Sequence, residues 1–192
     1  MNFKKHFILL AITVVSISCS VHKNRPVVDF IKKEENTDFI IIDKTIAPDN
    51  KTVIDRLQKY GSLQKTNGTY PYLGSIFLEK DDIDWLYKKY ANERIDKVWS
   101  KKDFKKLDFS MVDFTEISKS NTVRNYTSES QIAYSYIISK PLYTEKCDIV
   151  IFYIGKFRTH LTTNTFIYGE VVVMKKNKDK WSIMERLTMD IY

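Results

Sequence analysis

The chain has 192 residues and a mass of 22.7 kDa, 43% hydrophobic and 29% charged, with five Gly, four Pro and two Cys. That length and apolar content, with three Trp, twelve Tyr and eleven Phe, support one domain with a buried core and exclude wholesale disorder, while so few Gly, Pro and Cys exclude a collagen-like chain or a disulfide scaffold. The net charge of +7 is mild and holds no Lys/Arg block of five or more, so there is no clustered nucleic-acid footprint.

Residues 1–20 read MNFKKHFILLAITVVSISCS. Lys4 and Lys5 form a basic start, Phe7 to Ile17 an apolar run, and Ser16 and Ser18 small residues at its end, the layout of a secretory signal peptide. Eleven helical residues reach about 16 Å, roughly half a bilayer core, too short for a transmembrane anchor. Val15 to Cys19 resembles a bacterial lipobox, with Ser16 standing where an aliphatic residue is common. The resemblance implies cleavage after Ser18 and acylation of Cys19, and two or more acyl chains suffice for stable attachment to a membrane. The other reading is an ordinary signal peptide, cut nearby and released. Loss of residues 1–18 removes two lysines and no acid, leaving a charge of +5. Ser20 is not an acidic inner-membrane retention residue, so the outer membrane is the preferred location.

Residues 19–37 are polar, charged and broken by Pro26, and are expected to form a flexible tether ahead of a single domain over 38–192. Within that domain Phe39 to Ile42 reads as a strand. Val53, Ile54, Leu57 and Tyr60 fall at helical spacing between Pro48 and Gly61, a C′ candidate, and 61–75 reads as a loop. Ile83, Leu86, Tyr87, Tyr90, Ala91, Ile95 and Val98 predict a helix from about Asp82 to Trp99, with Asp81, Asp82 and Asp84 at its positive end. Ser100 and Asp103 are placed to cap a short helix carrying Phe104 and Leu107, 107–117 reads equally as strand or turn, and 118–130 as a polar loop.

From Gln131 the period becomes two. Ile132, Tyr134, Tyr136 and Ile138 share a face of a strand that stops before Pro141, and Ile149 to Ile154 is apolar on both faces, as in a central strand. Residues 166–175 and 180–191 form a hairpin in which Trp181, Ile183, Leu187, Met189 and Ile191 point one way. The expected fold class is α+β, N-terminal helices packed on a C-terminal, curved antiparallel sheet of four to five strands.

The corner Ser139-Lys140-Pro141-Leu142-Tyr143-Thr144, the strand Ile149-Val150-Ile151-Phe152 and the closing Lys180-Trp181-Ser182-Ile183 resemble a group of uncharacterised lipoproteins of the Bacteroidetes, over about 60 residues from Tyr134 onward. This resemblance implies an envelope location and a curved-sheet fold, and no activity, because none of its motifs is chemical.

Catalytic constellations are sparse. There is no G-x-S-x-G, and once His6 leaves with the signal only His22 and His160 remain for a His-based triad. There is no H-E-x-x-H or C-x-x-C, and Asp82, Asp84 and Glu93 match EF-hand positions 1, 3 and 12 while Leu86 and Tyr87 occupy positions 5 and 6, where an oxygen ligand and Gly are needed. No metal, cofactor or catalytic residue is therefore assigned. Cys147 reads as a semi-buried residue at a strand start. The most site-like segment is Gly155 to Thr165, taken as a loop between strands, where Arg158 and His160 are placed to grip an anionic group; an ordinary polar hairpin loop explains the same residues. Glu185 lies on the apolar register of the last strand, so it faces a cavity, pairs with a basic residue or follows a bulge. Tyr134, Tyr136, Tyr143, Tyr153, Tyr168 and Tyr192 offer a sugar- or peptide-binding surface, or are ordinary strand residues. The expected function is a lipid-anchored, non-enzymatic binding or accessory domain for a protein or other envelope ligand; the alternative is small-molecule binding or weak catalysis in a cone-shaped pocket containing Glu185 or His160.

Overall fold

The computed structural model describes residues 24–34, 40–42, 48–67, 78–93, 99–104, 110–112, 133–160 and 163–189. In chain order they form α1 (Arg25–Lys33), β1 (Ile40–Ile42), α2 (Asn50–Asn67), α3 (Lys80–Tyr90), a 3-10 helix (Lys101–Phe104), β2 (Ser110–Val112), β3 (Ala133–Ile138), β4 (Leu142–Tyr143), β5 (Ile149–His160), β6 (Thr163–Asn177) and β7 (Lys180–Met189). Three helices ahead of five antiparallel strands, β3 to β7, make the fold α+β. Short β1 and β2 extend the sheet by parallel pairing at its β3 edge, giving the order β2-β1-β3-β5-β6-β7.

β5 is central because its residues are apolar on both faces, and both faces are covered. On the first face Tyr136, Ile138, Val150, Phe152, Ile154, Val172, Met174 and Trp181 pack with Val27, Phe30 and Ile31 of α1 and with Trp99 and Phe104. On the second, Ile149, Ile151, Tyr153, Val171, Val173, Leu187 and Met189 pack with Val53, Ile54 and Leu57 of α2 and Ile83, Leu86 and Tyr90 of α3. β3 and β4 share one edge of β5, separated at Ser139-Lys140-Pro141. Ser139 bridges the break: its amide donates to the Tyr153 carbonyl (2.9 Å) and its hydroxyl accepts from the Tyr153 amide (2.8 Å).

α1 lies inside the stretch expected to be tether. Pro26 falls in its first turn, where a missing N–H costs nothing, so it starts a helix rather than breaking a coil. Val27 and Phe30 are fully buried, and Phe30 meets Phe152 edge-on at 5.4 Å. α2 runs through Gly61 to Asn67, because an interior Gly weakens a helix by only about 1 kcal/mol and does not end it. α3 is shorter than its periodicity suggests. It ends at Tyr90, whose carbonyl accepts from the buried Asn50 side chain (3.1 Å), and Ala91 to Glu93 form a turn. Ile95, Val98 and Leu107 lie outside the described residues. Trp99 belongs to the first face, its indole N–H donating to the Ile138 carbonyl (2.7 Å). The Asp103 carboxylate accepts from the Ser100 amide and hydroxyl (both 3.0 Å), capping the 3-10 helix as its sequence suggests.

β6 and β7 are joined by a tight turn at Lys178-Asp179, between the paired residues Asn177 and Lys180, with Lys178 at φ 55°. Their register slips once: Met174 pairs Ile183 whereas Val173 pairs Glu185, leaving Met184 extra. This bulge corrects the single-faced reading of the last strand, since Trp181 and Ile183 pack on the first face and Leu187 and Met189 on the second. Ile191 lies outside the described residues.

Candidate functional site

Ser18 and Cys19 lie outside the described residues. Cys147 is half-buried in the turn before β5, at φ 55°. The segment from Gly155 to Thr165 is mostly strand rather than loop. β5 runs on to His160 and β6 starts at Thr163, with Thr159 paired to Asn164 and His160 to Thr163. Phe157, Thr159, Thr163 and Thr165 suit a pleated strand and carry the hairpin outward. Arg158 is exposed, flanked across the sheet by Tyr134 and Thr165. Glu185 is elsewhere. It sits opposite Val173, eight residues along β6 from Thr165, which is about 26 Å of strand at 3.3 Å per residue. Arg158 and Glu185 therefore do not converge.

Glu185 directly follows the bulge and is 9% exposed. One carboxylate oxygen accepts from the Arg186 amide (3.3 Å), and the other is buried with no hydrogen-bond partner among the described residues. Burial pushes this carboxyl above the usual carboxylate range.

Pairing register assembles a second group that linear reading does not. Tyr136, Lys156 and Tyr168 are cross-strand partners on β3, β5 and β6. The Lys156 ammonium lies 4.2 Å from the ring centre of Tyr134, 5.7 Å from Tyr136 and 5.8 Å from Tyr168. Next to it, Arg186 donates to Glu170 (3.2 Å) and to Glu34 at the end of α1, and its guanidinium stands 5.1 Å from the Phe30 ring. Burial raises the Glu170 carboxyl, and Arg186 opposes that shift. Tyr168 is likewise raised, by burial first and then by the charge of Glu170. The exposed large apolar side chains among the described residues, Tyr134, Phe166 and Ile167, gather at this end, with Phe166 edge-on to Phe157 at 5.3 Å. Ile167 is outermost because a second register shift leaves it extra between the Lys156–Tyr168 and Phe157–Phe166 pairs.

The tyrosines divide accordingly. Tyr134, Tyr136 and Tyr168 form the cage, Tyr143 stacks edge-on with Trp181, Tyr153 is buried on the second face, and Tyr192 lies outside the described residues. Abundance of tyrosine is the only signal of this group in the sequence. Chemically it presents a cation framed by phenols on the first face of the sheet.

Among the described residues no group of three or more His, Cys, Asp or Glu is placed to hold a metal ion, and no helix is long and apolar enough to cross a membrane. Comparison with protein-family models, curated proteins and solved structures finds no match.

Proposed function

We propose that the chain is a lipid-anchored protein of a bacterial envelope, held by acyl chains on Cys19 with the outer membrane preferred, and that its domain is a non-enzymatic binding module for an envelope protein or other envelope ligand. The observation that carries the binding reading is the gathering of exposed Tyr134 and Arg158 beside Lys156 on the first face at one end of the sheet, with exposed Phe166, on the opposite face, and Ile167 at the same end. Aromatic side chains of this kind anchor partners because they bring large contact area at small entropic cost, and an exposed Arg adds directional hydrogen bonds. The lipoprotein resemblance of the N-terminus supports the location.

Two measurements test the two halves. Intact mass and fractionation of the native protein beside Cys19→Ala report the anchor: acylated, membrane-bound wild type and a released variant support it, and a soluble, unacylated wild type refutes it. Crosslinking in intact envelopes, comparing wild type with a Tyr134→Ser/Phe166→Ser/Ile167→Ser variant of equal thermal stability, reports the surface. A specific adduct lost in the variant supports the binding end, and an unchanged set of adducts refutes it. A small-molecule pocket is favoured by one observation, the buried, partly unpartnered Glu185 carboxylate. Ligand-induced thermal shifts that vanish in Glu185→Gln are its signature.

A further inference from the structure

The folded body begins very close to the proposed anchor. Asn24 is tied down, its side-chain amide donating to the Asp103 carboxylate of the 3-10 helix at 2.8 Å. α1 follows at once with Val27 and Phe30 fully buried, and its far end is held by the Glu34–Arg186 ion pair. Only five residue steps separate Cys19 from Asn24, and however they are arranged they span at most about 18 Å, less than the width of the domain. Two exposed cations flank the Asn24–Asp103 bond, Arg25 on the α1 side and Lys102 on the 3-10 helix. Arg25 has one long contact, 3.8 Å, to Asp29.

Resting on the lipid-anchor reading, we infer that the α1 start and the 3-10 helix form a docking surface for the anionic headgroups of the bilayer that holds Cys19. The short leash brings this end to the lipid surface, and Arg25 and Lys102 face the negative headgroups, each basic side chain near such a surface contributing about 1 kcal/mol. The body then lies on the membrane in one orientation instead of swinging on a long tether.

The test is amine footprinting of the full acylated protein on vesicles of phosphatidylethanolamine with about 30% phosphatidylglycerol, with Cys19→Ala protein in solution as the free reference. Lys102 acetylation is expected to slow about fivefold on the vesicles. Inserting twenty Gly/Ser residues between Val21 and His22 restores the free rate, and neutral phosphatidylcholine vesicles restore most of it. If Lys102 of the acylated wild type reacts as fast as in the long-leash protein, the docking surface is refuted while the anchor stands. Equal slowing on neutral vesicles refutes the anionic partner. A wild type that carries no acyl chains and does not float with vesicles overturns the anchor, and the docking surface with it.

Discussion

Glu185 sits opposite Val173 with one oxygen hydrogen-bonded to the Arg186 amide and the other unpartnered among the described residues. Because burial raises its carboxyl, the native chain keeps a proton there at a pH where the unfolded chain has lost it. Stability from this group is therefore fully present below the unfolded value and declines as pH rises through the folded one. Glu185→Gln is expected to raise the unfolding free energy at pH 8 by about 1 kcal/mol, the scale of one unsatisfied buried polar group, and to leave it unchanged near pH 4. Denaturant titrations at the two pH values check both sign and window. On the same face, Tyr153 lies across the paired glycines Gly155 and Gly169, and a Cβ at Gly169 would stand 2.3 Å from its hydroxyl and 2.7 Å from its ring. Gly169→Ala is expected to cost about 1–3 kcal/mol by overpacking. Tyr153→Phe in that background recovers only part of it, since the ring carbon remains too close. Burial pushes the Tyr153 phenol up to about 12, so ultraviolet titration of the wild type should show a late-ionising tyrosine that is missing in Tyr153→Phe.

Arg186 joins three elements: β7 by its backbone, β6 through Glu170 and α1 through Glu34, with Phe30 beside its guanidinium. Arg186→Met leaves Glu170 and Glu34 without that cation. The cluster is partly solvated, so the expected loss is about 2–3 kcal/mol, below that of a fully buried pair. Amide hydrogen exchange should accelerate most over Arg25–Lys33, and equal acceleration in every element would deny the clamp. None of this is readable from the linear chain, because Glu34, Glu170 and Arg186 meet only through tertiary packing. The bulge is legible in part: Glu185 on an otherwise apolar register points to one, but Ile183 and Met184 are both apolar, so alternation does not locate the extra residue. β5 was legible because an unbroken Ile149–Ile154 run suits a strand covered twice. α1 was not, since its four apolar residues are interleaved with charges and Pro26 reads as a breaker until its place in the first turn is known. For the site, Arg158 and Glu185 stood out as single residues, whereas the Lys156 cage needs the β3-β5-β6 register to exist.

The whole molecule is a sheet covered on two faces by different parts of the chain, and its stability depends on both covers. The first face relies on α1: without Val27, Phe30 and Ile31, the surface of Phe152, Val172 and Trp181 loses that cover. Burying each such side chain contributes about 1.5–3 kcal/mol, so loss of the three removes roughly 5–8 kcal/mol, comparable to the whole stability of an ordinary domain. A chain beginning at residue 38, the boundary that composition alone suggests, is therefore expected to unfold about 10–20 °C below the mature protein, or to have no cooperative transition. It should also bind a dye specific for exposed apolar surface. A chain beginning at residue 24 keeps α1 and should match the mature protein in calorimetry. Equal transition temperatures for the two starts would mean that α1 rests on the sheet without stabilising it, and the short leash between Cys19 and the folded body would lose its structural basis.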